Sequence, residues 1–314
     1  MRYRVYSEFL KQKYGTKVYK LPINLPLTCP NRDGNCGANG CAFCGEKGAG
    51  FETLPSALSV REQLVANRDY IAPKYKADKF IAYFQNFSNT YLPLSRFQEY
   101  MLAACVDDVV GLAIATRPDC INDRYLEVLA EIAAAKKVDI TIELGLQTVN
   151  YHTLMKINRG HTLAEFIDAV RRIQRYGFET CAHLILNLPW DEQPDVIENA
   201  KLVSALGVDQ VKLHALYIVK NTLMADWYLS GKIKLISKEE YIERVVTFLE
   251  YLHPDIVIQR LIGRAPAEDT LFANWQTAWW KIRDAIDKTL AERNSYQGRL
   301  CDYLNGRAVK RFVD

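Results

Sequence analysis

The sequence predicts an α/β fold: a partial, TIM-like (β/α)6 barrel of parallel strands with a mainly helical C-terminal extension. Three observations predict it. Short apolar runs rich in β-branched residues alternate with longer amphipathic stretches about six times. Polar residues directly follow most of the runs, where the active sites of parallel α/β folds lie. Beyond Arg260 the pattern becomes helical.

Seven runs are candidate strands: LPINL, FIAYFQ, GLAIAT, ITIELGL, CAHLILNL, VKLHALYIV and IVIQRL. Six amphipathic stretches are candidate helices: Ala57 to Ile71, Leu94 to Val106, Asp123 to Ala135, Thr162 to Tyr176, Asp191 to Leu206 and Lys238 to Leu252. Thr162 and Glu165 form a capping box, and Gly177 supplies a helix stop. We assign residues 1–255, which include the basic N-terminal segment and the loop 29–51, to the barrel domain. Residues 256–314 form the extension packed on it.

Composition and charge are those of a globular protein. The chain has 314 residues, 49% of them hydrophobic, and a net charge of +3, which is too small to indicate a nucleic-acid-binding protein. Both ends are nevertheless basic, which fits a solvated surface and a polyanion-binding rim equally well. The sequence shows no signal peptide and no apolar run long enough to cross a membrane, so we expect a cytoplasmic protein without membrane contact.

Four of the eight cysteines fall within sixteen positions of the segment TCPNRDGNCGANGCAFC. In a reducing compartment such a cluster indicates metal binding or catalysis and disfavours disulfides. A closed zinc site would use Cys29, Cys36, Cys41 and Cys44, and the loop alone slightly favours it. A catalytic iron–sulfur cluster would use three cysteines, with Cys36 spare, and leave one iron open. Because the loop directly follows the first candidate strand, its position favours the open cluster.

The ending CAFC resembles the end of the radical S-adenosylmethionine signature, in which an aromatic residue, here Phe43, packs near the cofactor. Eleven residues separate Cys29 from Cys41, more than in that signature. The segments CPNRDG, GAGF, TRPD, IELGLQT, INRGHT, HLILNLP and VKLHALYIVKNT nevertheless resemble, in order and over nearly the whole chain, a stand-alone bacterial group of this superfamily. That group is related to the catalytic subunit of the Elongator complex.

The resemblance implies a 4Fe-4S cluster held by Cys29, Cys41 and Cys44, with S-adenosylmethionine bound at the open iron. Reduction of the cluster would cleave the cofactor to a 5'-deoxyadenosyl radical, with a flavodoxin- or ferredoxin-type protein as the electron donor. Cys36 has no counterpart in the family pattern, so the resemblance leaves it outside the ligand set.

The resemblance also implies cofactor contacts. Ser88, Asn89 and Thr90 occupy the place of a Gly-Gly-Glu or Gly-Gly-Thr motif whose backbone receives the cofactor's amino group. The same residues are compatible with a helix N-cap before LPLSRFQEYM. Gln147 and Arg159 resemble a pair in oxygen-independent coproporphyrinogen oxidases that contacts the ribose and carboxylate of the cofactor.

Two further contacts follow from the same resemblance. Ala115 stands where the Elongator subunit often has a glutamate, so Thr116 or Glu143 is expected to supply a hydrogen bond to the ribose. Asn187, in NLP, stands where relatives have a glycine beside the adenine of the cofactor. We expect a contact from the backbone to the adenine to be kept, because it does not depend on the side chain.

Lys212 and His214 are the candidate catalytic residues. They lie two positions apart and therefore on one face of their strand, where they would contact substrate or handle protons. A structural role, in which both side chains have hydrogen-bond partners inside the protein, explains the pair at least as well. His183 is a weaker candidate. The remaining cysteines are predicted to be ordinary buried thiols: Cys105, Cys120, Cys181 and Cys301.

The Elongator subunit works at C5 of the wobble uridine of transfer RNA. No acetyltransferase domain accompanies the barrel in this sequence, so the resemblance implies an enzyme that remodels an existing C5 side chain. An example is conversion of carboxymethylaminomethyl-uridine to aminomethyl-uridine, with tRNA as the substrate. Two alternatives stay open. One is a radical enzyme acting on a small molecule or peptide, and the other is a zinc-stabilised RNA-binding module that uses Cys36.

Overall fold

The computed structural model describes residues 1–46, 48, 52–266 and 268–313. Seven of its strands form one sheet in which all neighbours are parallel, and a separate pair, β7 and β9, is antiparallel. The strands are β1 (Val18–Ile23), β2 (Lys79–Phe84), β3 (Val109–Thr116), β4 (Asp139–Gln147), β5 (Glu179–Ile185), β6 (Gln210–His214), β7 (Ile218–Val219), β8 (Val257–Arg260) and β9 (Thr270–Phe272). Of the quoted GAGF segment, only Gly48 lies within the described residues.

The sheet is curled into a partial barrel. β1 and β8 are its two edge strands, yet Lys20 Nζ of β1 lies 2.9 Å from Gln259 Oε1 of β8. Both side chains also reach Glu143 on the central strand β4. Side chains from both edges meet at the middle strand only if the sheet wraps around a common interior. The predicted parallel partial barrel is therefore confirmed, with seven strands.

Helices pack their apolar faces on the outside of this sheet in one continuous core. All six predicted helices are present, and the capping box of Thr162 with Glu165 precedes α6, which Gly177 follows at φ 69°. Among the described residues, no helix is both long and apolar enough to cross a membrane. The helices are α1 (Tyr6–Tyr14), α2 (Val60–Tyr75), α3 (Leu94–Ala103), α4 (Asp123–Lys136), α5 (Tyr151–Lys156), α6 (Leu163–Arg175), α7 (Gln193–Ala205), α8 (Leu223–Leu229), α9 (Lys238–Tyr251) and α10 (Trp279–Glu292).

The first helix, α1, closes the N-terminal end of the barrel, and the sequence patterns did not predict it. Leu10 of α1 packs with Val18, Ile81 and Ala113 in a separate apolar cluster at that end. Tyr14 Oη donates to a carboxylate oxygen of Asp139, 2.6 Å away at the start of β4. This plug leaves the carboxyl ends of the strands as the open end of the interior.

Both basic chain ends lie together, away from the open end. The Arg2 guanidinium donates to the Ser295 carbonyl at 3.0 Å, and the Arg4 amide donates to the Gln297 side chain at 2.9 Å. α1 follows these residues directly at the closed end of the barrel. Arg2 and Arg4 therefore lie at the closed end, whereas Lys20, the last residue of the basic N-terminal segment, lies within β1.

Two predicted boundaries differ from the structure. The run VKLHALYIV is interrupted after His214, because the chain leaves the sheet there and the Leu216 amide donates to the Asn187 side chain at 2.6 Å. The last strand of the sheet, β8, begins at Val257. The whole of β8, from Val257 to Arg260, thus lies beyond the predicted domain boundary at 255, in the segment assigned to the extension. Residues after β8 include the packed helix α10, whose buried face consists of Ile282, Ile286 and Leu290.

Candidate active site

A cavity of about 380 Å³ lies between the cysteine loop and the barrel interior. Cys29, Cys41 and Cys44 line it. Cys36 is exposed and is not among the described residues that line the cavity. The loop therefore presents three thiols to the cavity and one to the outside, which agrees with the division implied by the family resemblance.

Each of the three sulfur atoms has a polar donor beside it. Hydrogen bonds to sulfur ligands orient them and tune the electronics of an iron–sulfur cluster. The contacts are Ser88 Oγ to Cys29 Sγ at 3.6 Å, Arg159 Nη1 to Cys41 Sγ at 3.3 Å and Arg32 Nη2 to Cys44 Sγ at 3.3 Å.

Backbone hydrogen bonds hold the loop against the barrel. The Ala42 amide donates to the Ile157 carbonyl at 2.9 Å, and the Ala42 carbonyl accepts from the Met224 amide at 2.8 Å. Phe43 is half-buried, lines the cavity and packs against an apolar cluster that includes Leu188. The aromatic position of CAFC thus faces the cavity while anchoring the loop.

The three residues from Ser88 to Thr90 have different positions and partners. Ser88 lines the cavity, whereas the side-chain nitrogen of Asn89, Nδ2, donates to the carbonyls of Phe84, Asn86 and Ala115 at 2.8–3.1 Å. Thr90 Oγ1 lies 2.7 Å from Thr116 Oγ1, and Thr116 lines the cavity. Pro93 is the N-cap residue of α3, so the alternative N-cap interpretation of these three residues is wrong. Asn89 and Thr90 instead fix the turn that presents Ser88.

Gln147 and Arg159 both line the cavity, as the predicted pair requires. Arg159 is buried, with 6% of its surface exposed, and two of its nitrogens donate to the Gly145 carbonyl at 2.7 and 3.2 Å. A Cβ at Gly145 would lie 2.6 Å from Arg159 Nη2 and 2.9 Å from Gln147 Nε2. Glycine at 145 is therefore what lets both polar side chains approach the end of β4.

Asn187 is placed differently from the other predicted contacts. Its side-chain oxygen accepts from the Leu216 amide, and the residue is buried and absent from the described cavity lining. The Asn187 side chain therefore supports the chain where it leaves β6. The predicted adenine contact is left to the backbone and stays a prediction.

A charged network fills the interior below the cysteines, with Glu143 at its centre. Lys20 and Lys212 form ion pairs with this carboxylate, the latter at 3.1 Å, and His183 Nε2 lies 2.7 Å from it. Gln259 also donates to it at 3.1 Å. Burial alone would raise the pKa of Glu143, but the charges of Lys20 and Lys212 outweigh burial and hold this pKa well below its usual value. The buried carboxylate is therefore ionised.

Lys212 and His214 both line the cavity. Lys212 Nζ donates to Tyr83 Oη at 2.7 Å, and burial lowers the pKa of Lys212 to about 8, although Glu143 acts in the opposite direction. His214 Nδ1 accepts from Arg260 Nη2 at 2.7 Å. Burial, followed by the charge of Arg260, lowers the pKa of His214 well below its usual value, so this imidazole is neutral.

Glu143, Cys181 and His183 place potential metal-ligand atoms within 4.8 Å of one another. The carboxylate of Glu143 is already paired with Lys20 and Lys212. A metal cation would have to share that carboxylate with two ammonium groups, so this cluster does not fit a metal ion.

Sequence reasoning missed several residues of this site, namely Lys20, Tyr83, Arg117, Gln259 and Arg260. Arg117, in the quoted TRPD segment, is buried, pairs with Asp119 at 2.7 Å and lies 3.9 Å from Cys29 Sγ. Lys20 closes the basic N-terminal segment of the sequence and lies within β1, so its charge does not by itself mark it as an interior residue. Polar residues at alternate positions of otherwise apolar strands are the signal that marks such interior positions.

Three thiols line a cavity at the carboxyl end of the first strand of a parallel partial barrel, above a buried polar interior, and this arrangement suits an iron–sulfur enzyme whose cluster has one open iron. The chain belongs to the radical SAM superfamily. The model of that superfamily matches residues 32–215, and the Radical_SAM C-terminal domain matches residues 208–292.

The chain is also similar to individual proteins over much of its length. The chain is 35% identical over 304 residues to the uncharacterized protein YtqA of Bacillus subtilis, covering 96% of this chain and 94% of that protein. It is 25% identical to tRNA uridine(34) acetyltransferase of Methanocaldococcus jannaschii over 49% of this chain and 28% of that protein. The solved structure of archaeal Methanocaldococcus infernus Elp3 superposes with a TM-score of 0.67 at 16% identity, covering 89% of this chain and 64% of that chain, which shows a shared fold.

The protein is therefore a radical SAM enzyme with a 4Fe-4S cluster and S-adenosylmethionine as cofactors. The donor set fits the cluster, because three thiols with adjacent hydrogen-bond donors share one cavity, and Cys29, Cys41 and Cys44 would hold it. When bound, the cluster and S-adenosylmethionine together supply radical chemistry for abstraction of a hydrogen atom from the substrate. Family membership decides against the zinc-stabilised, non-catalytic module.

Proposed function

We propose that this enzyme modifies the C5 side chain of the wobble uridine of tRNA, for example by converting carboxymethylaminomethyl-uridine to aminomethyl-uridine. The observation that carries this choice is the match, over about half of the chain, to a relative whose name states an activity on uridine 34 of tRNA. The fold shared with archaeal Elp3 extends the likeness to most of the chain.

The charge of the cavity supports an anionic substrate. Among the described lining residues, six cations face two carboxylates, Glu52 and Glu143. A cleft with an excess of one charge attracts ligands of the opposite sign. The six cationic residues are Lys20, Arg32, Arg117, Arg159, Lys212 and Arg260.

Lys212 is proposed to handle protons in the cavity. Its pKa of about 8 places proton exchange close to neutral pH. Tyr83 and Glu143 hold the ammonium group in one position. His214, as a neutral imidazole beside it on the same strand, is proposed to contact the substrate.

The modified nucleosides of bulk tRNA test the proposed function. In the source organism, deletion of the gene is expected to deplete one C5-modified wobble uridine and to accumulate its precursor, as measured by nucleoside mass spectrometry. Complementation by the unchanged gene and by Cys36→Ala should restore the profile, whereas Cys41→Ser should not. An unchanged wobble-uridine profile in the deletion strain would contradict the proposal.

A small-molecule or peptide substrate is separated from tRNA by salt dependence. Binding that neutralises several phosphates weakens steeply as the salt concentration rises. We expect such a dependence for unfractionated tRNA and the holoenzyme. Absence of tRNA binding at low salt would favour the small-molecule or peptide class, which uses the same cofactor residues.

Arg159 is proposed to bind the carboxylate of S-adenosylmethionine. Arg159→Lys keeps the charge but removes the planar fork, so the dissociation constant for S-adenosylmethionine should rise about tenfold or more while the iron content is unchanged. Arg175→Lys, on the exposed surface of α6, is the matched control and should bind the cofactor normally. Unchanged cofactor affinity in Arg159→Lys would remove Arg159 from the binding site.

A further inference from the structure

Arg260 is an interior cation without a carboxylate partner. It ends β8 and lines the cavity, yet no described carboxylate forms an ion pair with it. Its Nε atom is buried and has no hydrogen-bond partner among the described residues. The only side-chain contact described for its guanidinium is with His214, which is neutral and leaves the charge uncompensated.

The guanidinium is held rigidly in spite of this missing partner. A Cβ at Gly263 would lie 3.0 Å from Arg260 Nη2 and 3.1 Å from Cζ, so the backbone after β8 packs directly on the group. His214 fixes it from β6. An unpaired cation fixed at the wall of a cavity has the properties of a preorganised anion site, because burying it without a counter-ion is unfavourable.

The two neighbouring cations differ from Arg260 in this respect. Lys20 and Lys212 share the carboxylate of Glu143, so that carboxylate offsets part of their charge. Of these three cations, Arg260 alone has no described carboxylate partner, and its guanidinium is a planar fork of donors, a geometry that matches a carboxylate.

We propose that Arg260 binds a carboxylate of the substrate, with His214 as the neutral partner that orients the guanidinium. This inference rests on the proposed function. Carboxymethylaminomethyl-uridine carries a carboxylate on its carboxymethyl group. Loss of that group as glyoxylate, with S-adenosylmethionine as the two-electron oxidant and water as the source of the aldehyde oxygen, would give aminomethyl-uridine, which has no carboxylate. Arg260 therefore selects the carboxylate-bearing nucleoside and releases the product, which no longer offers an anion to the site.

Equilibrium binding to two forms of one tRNA tests the inference. The ligands are a tRNA that carries carboxymethylaminomethyl-uridine and the same tRNA with aminomethyl-uridine, with reconstituted enzyme and S-adenosylmethionine but no reductant, so that no turnover occurs. The unchanged enzyme should prefer the carboxylate form about tenfold or more. Arg260→Gln should lose this preference through weaker binding of the carboxylate form alone. Arg124→Gln, on the exposed face of α4, is the control and should keep it.

Cofactor binding and iron content measure whether Arg260→Gln folds, and Arg260→Lys is the second variant because it keeps the charge but loses the fork. An equal preference in Arg260→Gln and the unchanged enzyme, or no preference in the unchanged enzyme, would overturn the carboxylate site. In either case the modified nucleosides in tRNA from the deletion strain still test the proposed function independently. If that profile is unchanged, the proposed function fails and the carboxylate assignment fails with it.

Discussion

Replacing Cys29, Cys41 or Cys44 by serine is expected to abolish the iron–sulfur cluster and all cleavage of S-adenosylmethionine, whereas Cys36→Ala retains both. The three thiols line one cavity, and Cys36 lies outside its described lining. Serine is a poor substitute for a thiolate that binds iron. The measurements are iron and acid-labile sulfide per chain after anaerobic purification, together with 5'-deoxyadenosine formed in the presence of dithionite.

The control is built into this series, because Cys36 belongs to the same loop. Loss of iron from Cys36→Ala to the same extent as from Cys41→Ser would contradict the three-ligand assignment. Retention of a full cluster by one of the three serine variants would remove that cysteine from the ligand set.

Replacing Glu143 by glutamine is expected to lower the free energy of unfolding by about 3–5 kcal/mol at neutral pH. The carboxylate is fully buried and pairs with Lys20 and Lys212. Glutamine has similar size but leaves two interior ammonium groups without a counter-charge. Urea titration of the holoenzyme under anaerobic conditions, followed by tryptophan fluorescence, measures the change.

The pH dependence of this loss has a defined sign. The pKa of Lys212 is about 8 in the folded protein, below its ordinary value, and Glu143 acts to raise it. Without Glu143 the pKa of Lys212 in the folded protein falls further. Between that lower pKa and about 8, folding releases the proton of Lys212 in the variant but not in the unchanged protein, so only the variant gains stability as the pH rises. The stability deficit should therefore be largest near pH 6 and should shrink as the pH rises to about 8.

Two further variants identify the cause. The double variant Glu143→Gln, Lys212→Met should recover part of the lost stability, because it removes one of the unpaired charges. Glu127→Gln, which removes an exposed carboxylate on α4, should change stability by no more than about 0.5 kcal/mol. A double variant less stable than Glu143→Gln alone would contradict unpaired charge as the cause.

The fold was largely predictable because local patterns determine it. The apolar runs of β2 to β5 are buried on both faces and therefore stand out in the sequence. α1 was missed because it buries only Leu10 and carries several polar residues, so its apolar stripe is narrow. The end of β6 was misplaced because the apolar residues that follow it enter a second core and not the sheet.

The placement of Cys29, Cys41, Cys44, Gln147 and Arg159 around one cavity was predictable, because a motif or family pattern marks these residues. The interior network was not, because it depends on how far the sheet curls. Lys20 and Gln259 lie at opposite edges of the sheet, 239 positions apart, and meet only around Glu143. Arg260 was missed because its significance is the lack of a partner, and only the packed structure shows which groups surround it.

Binding of S-adenosylmethionine to an open iron of a three-cysteine cluster is tested most directly by the EPR spectrum of the reduced protein, recorded with and without the cofactor. We expect about four iron and four sulfide per chain and a spectrum that shifts on addition of S-adenosylmethionine, in the unchanged protein and in Cys36→Ala alike. A colourless protein with near-stoichiometric zinc, or an iron signal that the cofactor leaves unchanged, would contradict this site.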